Sequence, residues 1–290
     1  MKIYNLGSLN IDYVYSVEHI VNPKETLSSY DMQKFAGGKG LNQSIALARA
    51  GCDIIHGGII GADGEFLKDL LQKENVDVSN INILNTPTGH AVIQVDNYGQ
   101  NSILLFAGTN FAVDCKYVQE FLKDATEGDI LLLQNETSSL DAAFYLANQK
   151  GMQIAFNPSP FSKEINDLPL EYVKWWFCNE VEAKALFGSD NIEQIAKSFT
   201  SKYPNSNLIL TLGEQGSVFI SKNLTFKQEA YRVDVVDTTA AGDTFTGYFL
   251  SAIAQSKSIE YAMQIAAKAS AITVSRKAAA PSIPYFYEID

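Results

Sequence analysis

Short apolar runs alternate with helix-like patterns along most of the chain, and this alternation limits the fold more than any other feature. The runs that resemble buried strands are 3–6, 52–60, 130–134, 152–156 and 208–212. The segments with helical spacing are 41–50, 65–73, 117–125, 140–149, 180–187, 245–254 and 261–275. This order predicts an α/β fold with a doubly wound, mostly parallel sheet and helices on both faces. Because 46% of the 290 residues are hydrophobic, we expect a single α/β domain, 1–290, with a sizeable core.

Two regions break the alternation and predict a second, smaller sheet. Each region contains a pair of strand-like stretches and no crossover helix. The pairs are 12–17 with 28–35 and 88–95 with 101–107. We expect these lid strands, within 12–36 and 88–107, to form a small antiparallel β-lid that projects from the main domain. The alternative is that they are edge hairpins of the main sheet. A projecting lid could cover a site and offer a face for dimerisation.

The composition argues against several classes of protein. The formal net charge is −11 and Lys and Arg form no cluster, which disfavours a nucleic-acid partner. Three widely spaced cysteines without a CxxC pair disfavour a disulfide framework or a zinc site, and they fit a reducing compartment. No apolar run reaches ~18 residues and no signal peptide is recognisable, so we expect a cytoplasmic protein with no membrane partner.

The most informative motif is 236–247, which reads Val-Asp-Thr-Thr-Ala-Ala-Gly-Asp-Thr-Phe-Thr-Gly. The small residues Ala240, Ala241 and Gly242 lead directly into a predicted helix. A helix start leaves backbone N–H groups unpaired and attracts phosphate. Asp243 at this point is well placed to take a proton from a hydroxyl that attacks a phosphoryl group. A simple helix cap is the alternative for this motif taken alone.

A second glycine-rich element, 36–43, opens the first long helix with Ala-Gly-Gly-Lys-Gly-Leu-Asn-Gln. Its glycines permit positive φ angles and a close approach of the backbone to a ligand. It is not a Walker A loop, because Lys39 is followed by Gly40, and it lacks the dinucleotide spacing. Asn42 on the first turn could bind hydroxyl groups. A plain N-terminal turn is the alternative.

Polar residues follow several of the predicted strands. Asn10 and Asp12 alternate on an extended segment, so they point to one side and would suit a polyol, although a solvated loop has the same pattern. Glu136 follows the strand 130–134. Asn179 and Glu182 share a helix face and could organise water around a magnesium–nucleotide complex. The alternative for this pair is a capping box, and the two roles can coexist.

Together these motifs resemble the ribokinase-like (PfkB) family of carbohydrate kinases. The resemblance runs from Gly7 to about Pro284, and its signature stretches are 37–42 and 237–247. The family fold is a doubly wound α/β domain with a small β-lid, which agrees with the pattern described above. The resemblance implies an ATP-dependent kinase that phosphorylates the 5-hydroxyl of D-ribose, with sugar and ATP as small-molecule partners. It also implies a homodimer formed through the β-lid.

The resemblance also implies roles for individual positions. Asp243 matches the catalytic base, and the amides around Ala240, Ala241 and Gly242 match the anion hole. The positions that match sugar ligands are Asn10, Asp12, Gly38, Lys39, Asn42 and Glu136. The positions that match the ATP site are Asn179, Thr211, Gly213 and Gly216, with Glu182 associated with Mg²⁺. A site for K⁺ matches Asp237, Thr239, Thr273, Arg276, Ala278 and Ser282.

Four positions depart from the family pattern, and one of them is Thr109, which precedes Asn110 in a segment that usually reads Gly-Ala-Asn. Leu41 replaces a smaller residue and His90 replaces an apolar one, so we expect them to narrow or repolarise the sugar pocket. Ala278 stands where glycine is usual, which bears on activation by K⁺. The alternatives for function are therefore a kinase of the same fold for another sugar, such as fructose or another pentose, or for a nucleoside. A non-catalytic sugar or nucleotide sensor is a further alternative.

Overall fold

The computed structural model describes residues 1–289, which contain two separate sheets. The strands of the larger sheet, from one edge to the other, are β13 (Thr225–Gln228), β12 (Ser217–Ile220), β11 (Asn207–Thr211), β10 (Val173–Asn179), β9 (Gln153–Asn157), β8 (Ile130–Gln134), β1 (Ile3–Leu6), β4 (Ile54–Gly61) and β5 (Asp77–Leu84). The pairings from β11 to β5 are parallel, and those of β12 and β13 are antiparallel. The predicted mostly parallel sheet is confirmed.

Helices cover both faces of this sheet. They are α1 (Lys39–Arg49), α2 (Glu65–Lys73), α3 (Cys115–Phe121), α4 (Leu140–Gln149), α5 (Glu180–Phe187), α6 (Ile192–Lys202), α7 (Ala241–Ala254) and α8 (Ile259–Val274). Side chains of α1, α2, α7 and α8 belong to one buried cluster, and those of α3, α4, α5 and α6 belong to the other. The doubly wound arrangement is therefore confirmed. Among residues 1–289, no helix combines the length and the apolar character needed to cross a membrane.

The second sheet is separate from the first, so the alternative of edge hairpins is wrong. Its order is β3 (Asp31–Gly37), β2 (Asn10–Ser16), β6 (Gly89–Val95) and β7 (Asn101–Phe106). The outer pairings, β2 with β3 and β6 with β7, are antiparallel as expected, whereas the central pair β2 and β6 runs parallel. The reason is that β2 follows β1 and β6 follows β5. Because β1 and β5 run parallel in the main sheet, the chain leaves that sheet in the same direction after each of them.

The sequence pattern missed β5, β10 and α6, and it gave no bounds for β12 and β13 at one edge of the main sheet. The edge strand β5 exposes most of its residues and mixes polar with apolar side chains, so it lacks the continuous apolar run of a central strand. The exposed Lys174 interrupts β10, and α6 buries only Ile195 and Phe199. Helix α7 begins at Ala241, before the apolar run that predicted it, so Asp243 belongs to its first turn.

Helices α1 and α7 pack closely at Gly247. A Cβ atom added there would lie 2.4 Å from the Cβ of Ala46 and 3.0 Å from the backbone of Ala46 and Leu47. Only a hydrogen atom fits in this space, which gives the last residue of the 236–247 motif a packing role. The contact brings the first turn of α7 beside the first turn of α1.

Replacing Gly247 by alanine tests this packing through the sign of the stability change. In an unhindered helix, Gly→Ala stabilises by about 1 kcal/mol. At Gly247 the added methyl group must displace α1, so we expect Gly247→Ala to lower the free energy of unfolding by about 1–3 kcal/mol. Urea denaturation followed by circular dichroism measures the change. A variant more stable than the parent would contradict the tight contact.

Candidate active site

The candidate site lies where the strand order of the main sheet reverses. Strand β1 continues to β4 and β5 on one side, whereas β8 and β9 lie on the other. Ligands of α/β sheets bind at the carboxyl ends of strands at such a switch point. Here a Cβ added to Gly40 would lie 2.4 Å from the carbonyl carbon of Gly7, so these two glycines allow α1 to start directly against the end of β1. Gly38 caps α1 with a φ of 96°, a conformation that favours glycine.

Asp243 occupies the first turn of α7 and is only 7% exposed. Both of its carboxylate oxygens accept hydrogen bonds from amides of α1. The Nδ2 atom of Asn42 donates to Oδ2 at 3.2 Å, and the Nε2 atom of Gln43 donates to Oδ1 at 2.9 Å. The candidate base is thus tied to the second glycine-rich element, 200 residues earlier in the sequence. The structure brings the two predicted motifs into direct contact.

The backbone before Asp243 forms the candidate anion site. Ala240 adopts a left-handed conformation with a φ of 61°, and its carbonyl accepts from the Thr244 amide at 2.8 Å. The Ala241 amide donates to the Thr238 carbonyl at 3.3 Å. Within residues 1–289, the amides of Gly242 and Asp243 have no acceptor, as expected at a helix start. These two donors, at the positive end of α7, therefore suit an anion.

Glu136 joins the end of β8 to the start of α1. Its Oε2 atom accepts from the Lys39 amide at 3.0 Å and from the hydroxyl of Ser8. The same hydroxyl accepts from the Gly40 amide at 3.2 Å. Burial raises the pKa of Glu136, although the Lys39 charge and these hydrogen bonds oppose the rise. Glu136 is therefore a half-buried acidic side chain held firmly at a helix N-terminus.

Asn10 and Asp12 lie on β2 of the lid, next to this carboxylate. The Oδ1 atom of Asn10 accepts from the Nδ2 atom of Asn110 at 2.7 Å, which fixes its orientation. The Asp12 carboxylate lies over Gly37, where an added Cβ would come within 2.2 Å of it. Burial, and to a lesser degree the charge of Glu136, raises the pKa of Asp12 to about 6. Asp12 is therefore partly protonated at mildly acidic pH.

The Lys39 side chain supplies a positive charge between these acidic groups. Burial disfavours its charged form, but the carboxylates of Asp243, Glu136 and Glu182 outweigh this effect and raise the pKa of Lys39. A cation surrounded in this way stays charged across the physiological range. It offers local compensation for an anionic ligand in a protein whose net charge is −11.

A cleft of about 1040 Å³ opens in front of Asp243. Its walls contain every residue that the resemblance assigned to the nucleotide and the anion hole, together with Lys39. These residues are Lys39, Asn179, Glu182, Thr211, Gly213, Gly216, Ala240, Ala241, Gly242 and Asp243. Gly213 has open space where its side chain would be, whereas a Cβ at Gly216 would collide with the Gln228 carbonyl oxygen at 2.1 Å. Gly213 can thus face a ligand, and Gly216 is required by the turn.

Asn179 and Glu182 form a capping box at the start of α5. The Glu182 amide donates to Asn179 Oδ1 at 2.9 Å, and the Asn179 amide donates to Glu182 Oε2 at 2.9 Å. The Nδ2 atom of Asn179 also donates to Glu182 Oε1 at 3.1 Å. The capping alternative is therefore confirmed. Because Glu182 also lines the cleft, its carboxylate combines this structural role with a position facing the ligand space.

Three of the six predicted cation-site residues meet directly. The Oδ1 atom of Asp237 accepts from the Thr239 amide at 2.9 Å and from its hydroxyl at 2.6 Å, and Oδ2 accepts from the Ala278 amide at 3.1 Å. Burial opposes ionisation of Asp237, but these hydrogen bonds outweigh burial and lower its pKa. Ala278 has a φ of 70°, which explains why glycine is the usual residue at this position.

The side chains of the other three residues point elsewhere. The Thr273 hydroxyl lies 3.0 Å from the Thr244 hydroxyl, Arg276 pairs with Glu288 at 2.6 Å, and the Ser282 hydroxyl donates to the Ala279 carbonyl at 2.7 Å. A cation beside Asp237 would therefore draw on backbone carbonyls of this tail rather than on these side chains. Among the described residues, no group of three or more His, Cys, Asp or Glu side chains is arranged to hold a metal ion.

Two expectations about the sugar pocket are wrong. Leu41 is fully buried in the hydrophobic cluster shared by α1 and α7, so it does not narrow the pocket. His90 pairs with Ile11 in the lid register, one residue away from Asp12, and its ring contacts Tyr13 and Phe106. Because side chains alternate along a strand, His90 faces away from Asp12. Neither departure changes the polar set around Asp12.

Several residues that hold the site together received no role from the sequence. Ser8 links Glu136 to α1, Asn110 orients Asn10, and Gln43 contacts Asp243 directly. Gln134 in turn donates to Gln43 at 2.7 Å. Gln43 lies inside the glycine-rich element 36–43 and Ser8 lies two residues before Asn10, so their positions were a usable signal. Asn110 and Gln134 become recognisable only through tertiary contacts.

Comparison with known proteins shows the family and the fold. The pfkB family carbohydrate kinase profile matches residues 2–285. The chain is 36% identical over 289 residues to the ribokinase of Haemophilus influenzae, covering 96% of this chain and 94% of the relative.

Two solved ribokinases have the same fold. The Cryptococcus neoformans enzyme, crystallised with ADP, superposes with a TM-score of 0.88 at 32% identity, covering 99% of this chain and 98% of that one. The Arabidopsis thaliana enzyme, solved with ribose and ATP, gives a TM-score of 0.84 at 28% identity, covering 98% of this chain and 95% of that one.

Proposed function

The chain belongs to the pfkB family of carbohydrate kinases, enzymes that transfer a phosphoryl group to a sugar hydroxyl, and we propose that it is an ATP-dependent ribokinase. The product would be D-ribose 5-phosphate. The observation that carries this proposal is the position of Asp243. It lies at the start of α7, next to free backbone amides, on the wall of the cleft, and bonded to Asn42.

The arrangement separates two ligand regions that meet at Asp243. The nucleotide-type cleft extends from Asn179 to the amides of Gly242 and Asp243. The sugar-type polar set lies on the other side, around α1, Glu136 and the lid. In the proposed reaction Asp243 accepts the proton of the sugar 5-hydroxyl while that oxygen attacks the terminal phosphorus of ATP. The free amides stabilise the negative charge that develops on the transferred group.

The polar set favours a small polyhydroxylated ring. Carboxylates accept hydrogen bonds from hydroxyl groups, and amides both accept and donate them. Asp12, Glu136 and Asn42 supply both kinds of side chain. The Oδ1 atom of Asn42 is buried and has no donor among residues 1–289. A buried acceptor without a partner is costly, so a sugar hydroxyl at this atom would satisfy it. This unpaired acceptor supports a sugar ligand.

The residues present fit Mg²⁺ and K⁺ in different ways. Glu182 brings one carboxylate to the cleft, too few for a protein cage, so Mg²⁺ would take most of its ligands from ATP phosphates and water. Bound Mg²⁺ would offset phosphate charge during transfer. For K⁺, the ionised Asp237 and nearby carbonyls provide oxygen ligands. Such an ion would hold the 237–239 segment, which leads directly to the anion site.

We also propose that the protein is a homodimer through the lid. The outer strand β7 exposes four consecutive apolar residues, 103–106, and Leu104 is 71% exposed. An unpaired edge strand with apolar side chains favours association with a second copy. A two-fold axis beside β7 would bury these residues from both subunits.

Replacing Asp243 by asparagine tests the proposed reaction. We expect wild-type protein with ATP, Mg²⁺ and K⁺ to phosphorylate D-ribose in preference to fructose, other pentoses and nucleosides, measured by ADP release. Asp243→Asn retains similar shape but cannot accept the proton, so turnover should fall by about 10²–10⁴-fold with an unchanged melting temperature. A folded variant with near-normal turnover would refute the assignment of the base. Repeating the panel without K⁺ tests the cation proposal.

The raised pKa of Asp12 predicts a pH-dependent affinity for the sugar. The ionised carboxylate accepts hydrogen bonds from hydroxyls at both oxygens, whereas the protonated group carries a donor on one of them. Because the pKa is about 6, the dissociation constant for ribose should be flat above pH 7 and rise as pH falls below 6, approaching tenfold per unit. Calorimetric titration without nucleotide measures it. Asp12→Asn should bind more weakly at pH 8 and lose this slope. A slope that persists in the variant would point to Glu136 instead.

A charge on the lid edge tests the dimer. We expect wild-type protein to be a dimer by light scattering and Leu104→Lys to be a monomer, because two lysines would face each other across the axis. Tyr145→Lys, at a 52% exposed apolar position on α4, is the matched control and should remain dimeric. A wild-type monomer at micromolar concentration would contradict the proposal.

A further inference from the structure

A chain of buried amide side chains runs beneath Asp243. The Nε2 atom of Gln43 donates to Asp243 Oδ1 at 2.9 Å, and its Oε1 atom accepts from Gln134 Nε2 at 2.7 Å. Gln134 Nε2 also donates to Asn5 Oδ1 at 2.9 Å. These three amides are at most 1% exposed. Burying so many polar groups is costly unless they are paired, and of the side-chain N and O atoms of these amides only Gln134 Oε1 lacks a partner among residues 1–289.

The series of hydrogen-bonded amides begins on α1 and also ends on α1. Asn5 Nδ2 donates to the Gly40 carbonyl and to the Ser44 hydroxyl, both at 2.8 Å. The bonds therefore leave α1 at Gln43, pass the ends of β8 and β1, and close on α1 again. A closed circuit of this kind fixes each amide relative to the sheet, which holds the first turn of α1 in one position.

The circuit also fixes the direction of the Gln43 amide. Turning this amide by 180° would place Oε1 against the Asp243 carboxylate and Nε2 against the Nε2 atom of Gln134. Two hydrogen bonds would become two repulsive contacts. The Nε2 atom also lies 3.3 Å from Asn157 Oδ1, an acceptor that again favours the donor on this side. The donor thus faces Asp243 in every arrangement that keeps the circuit intact.

From these contacts we infer that Gln43 is a positioning residue, which aims the Asp243 carboxylate at the acceptor hydroxyl without touching either substrate. This inference rests on the role of Asp243 proposed above. Neither Gln43 nor Asn42 lines the cleft, but Asn42 has a free acceptor and bonds the other carboxylate oxygen. Asn42 thus connects the proposed sugar position to the base, whereas Gln43 connects the base to the buried core.

The charged groups around Asp243 would be unaffected by a neutral substitution at position 43. Lys39 on α1 has the opposite charge to Asp243, and Glu136 after β8 has the same charge as Asp243. Glu182 on α5 acts on the same lysine. None of these side chains hydrogen-bonds to Gln43. A change in pH dependence after replacing Gln43 would therefore report the lost hydrogen bond.

The near-isosteric variant Gln43→Met tests the inference. Loss of one donor to the carboxylate favours its protonated form, so the acid limb of the kcat profile should move to higher pH by about half a unit to one unit. The misaimed carboxylate should lower kcat about 10–100-fold, with the KM for ATP unchanged. A profile that keeps the wild-type midpoint would overturn the inference, whatever the loss of kcat.

Ser251→Ala is the matched control. Ser251 lies on α7, like Asp243, and its buried hydroxyl donates to the Ala50 carbonyl at 3.0 Å, far along the helix from the site. This variant also loses a buried hydrogen bond, so its stability should fall, but its pH profile should match the wild type. If both variants shift the profile equally, the effect is one of general stability and the inference fails.

A readout without turnover separates this inference from the proposed function. The Asp243 carboxyl carbon can be titrated by NMR in the unliganded protein, and Gln43→Met should move its midpoint to higher pH. If the wild type phosphorylates no sugar and the midpoint still moves, the proposed function fails and the positioning contact stands. If Gln43→Met does not fold, Gln43→Glu places two carboxylates in contact and should raise the midpoint further. An unmoved midpoint in the folded variant overturns the inference.

Discussion

The contact between Gly7 and Gly40 is the constraint on which the site depends. Two residues without side chains let the first turn of α1 rest directly on the end of β1. From that position the α1 backbone reaches Glu136, and Asn42 with Gln43 reaches Asp243. Gly247 makes the matching approach possible on α7. A methyl group at any of these glycines would separate elements that the chemistry requires to be adjacent.

The protein has a net charge of −11, yet its candidate site suits an anion. The groups that favour an anion are concentrated at one place. Free amides at the start of α7 and the Lys39 ammonium face the cleft, while the carboxylates around that lysine keep it charged. The carboxylates are themselves held by helix N-termini and amides, as the capping of Glu182 and the bond from the Lys39 amide to Glu136 illustrate. The local amides and the Lys39 charge, and not the net charge, therefore favour an anion at this site.

The sequence was sufficient for the architecture and for the two motifs, because continuous apolar runs and glycine-rich helix starts are local signals. It was insufficient for β5 and β10, whose polar residues reflect an edge position and an exposed end. The direction of His90 required the register of β2 and β6, which no local pattern contains. The support of Asp243 by Gln43 and Gln134 was equally invisible, since those contacts join segments about 90 and 200 residues apart. Residue patterns therefore did not predict contacts between segments that are distant in the sequence.

The polar groups that would recognise the sugar are divided between the lid and the main body. Asn10 and Asp12 are carried by β2 of the lid, whereas Lys39, Asn42 and Glu136 are carried by the main body. A ring that engages both sets would connect the lid to the main body through its own hydroxyls. A shorter alcohol would reach only the main body and would leave the phosphoryl group exposed to water. The same contacts would therefore both select the sugar and shield the transferred group from hydrolysis.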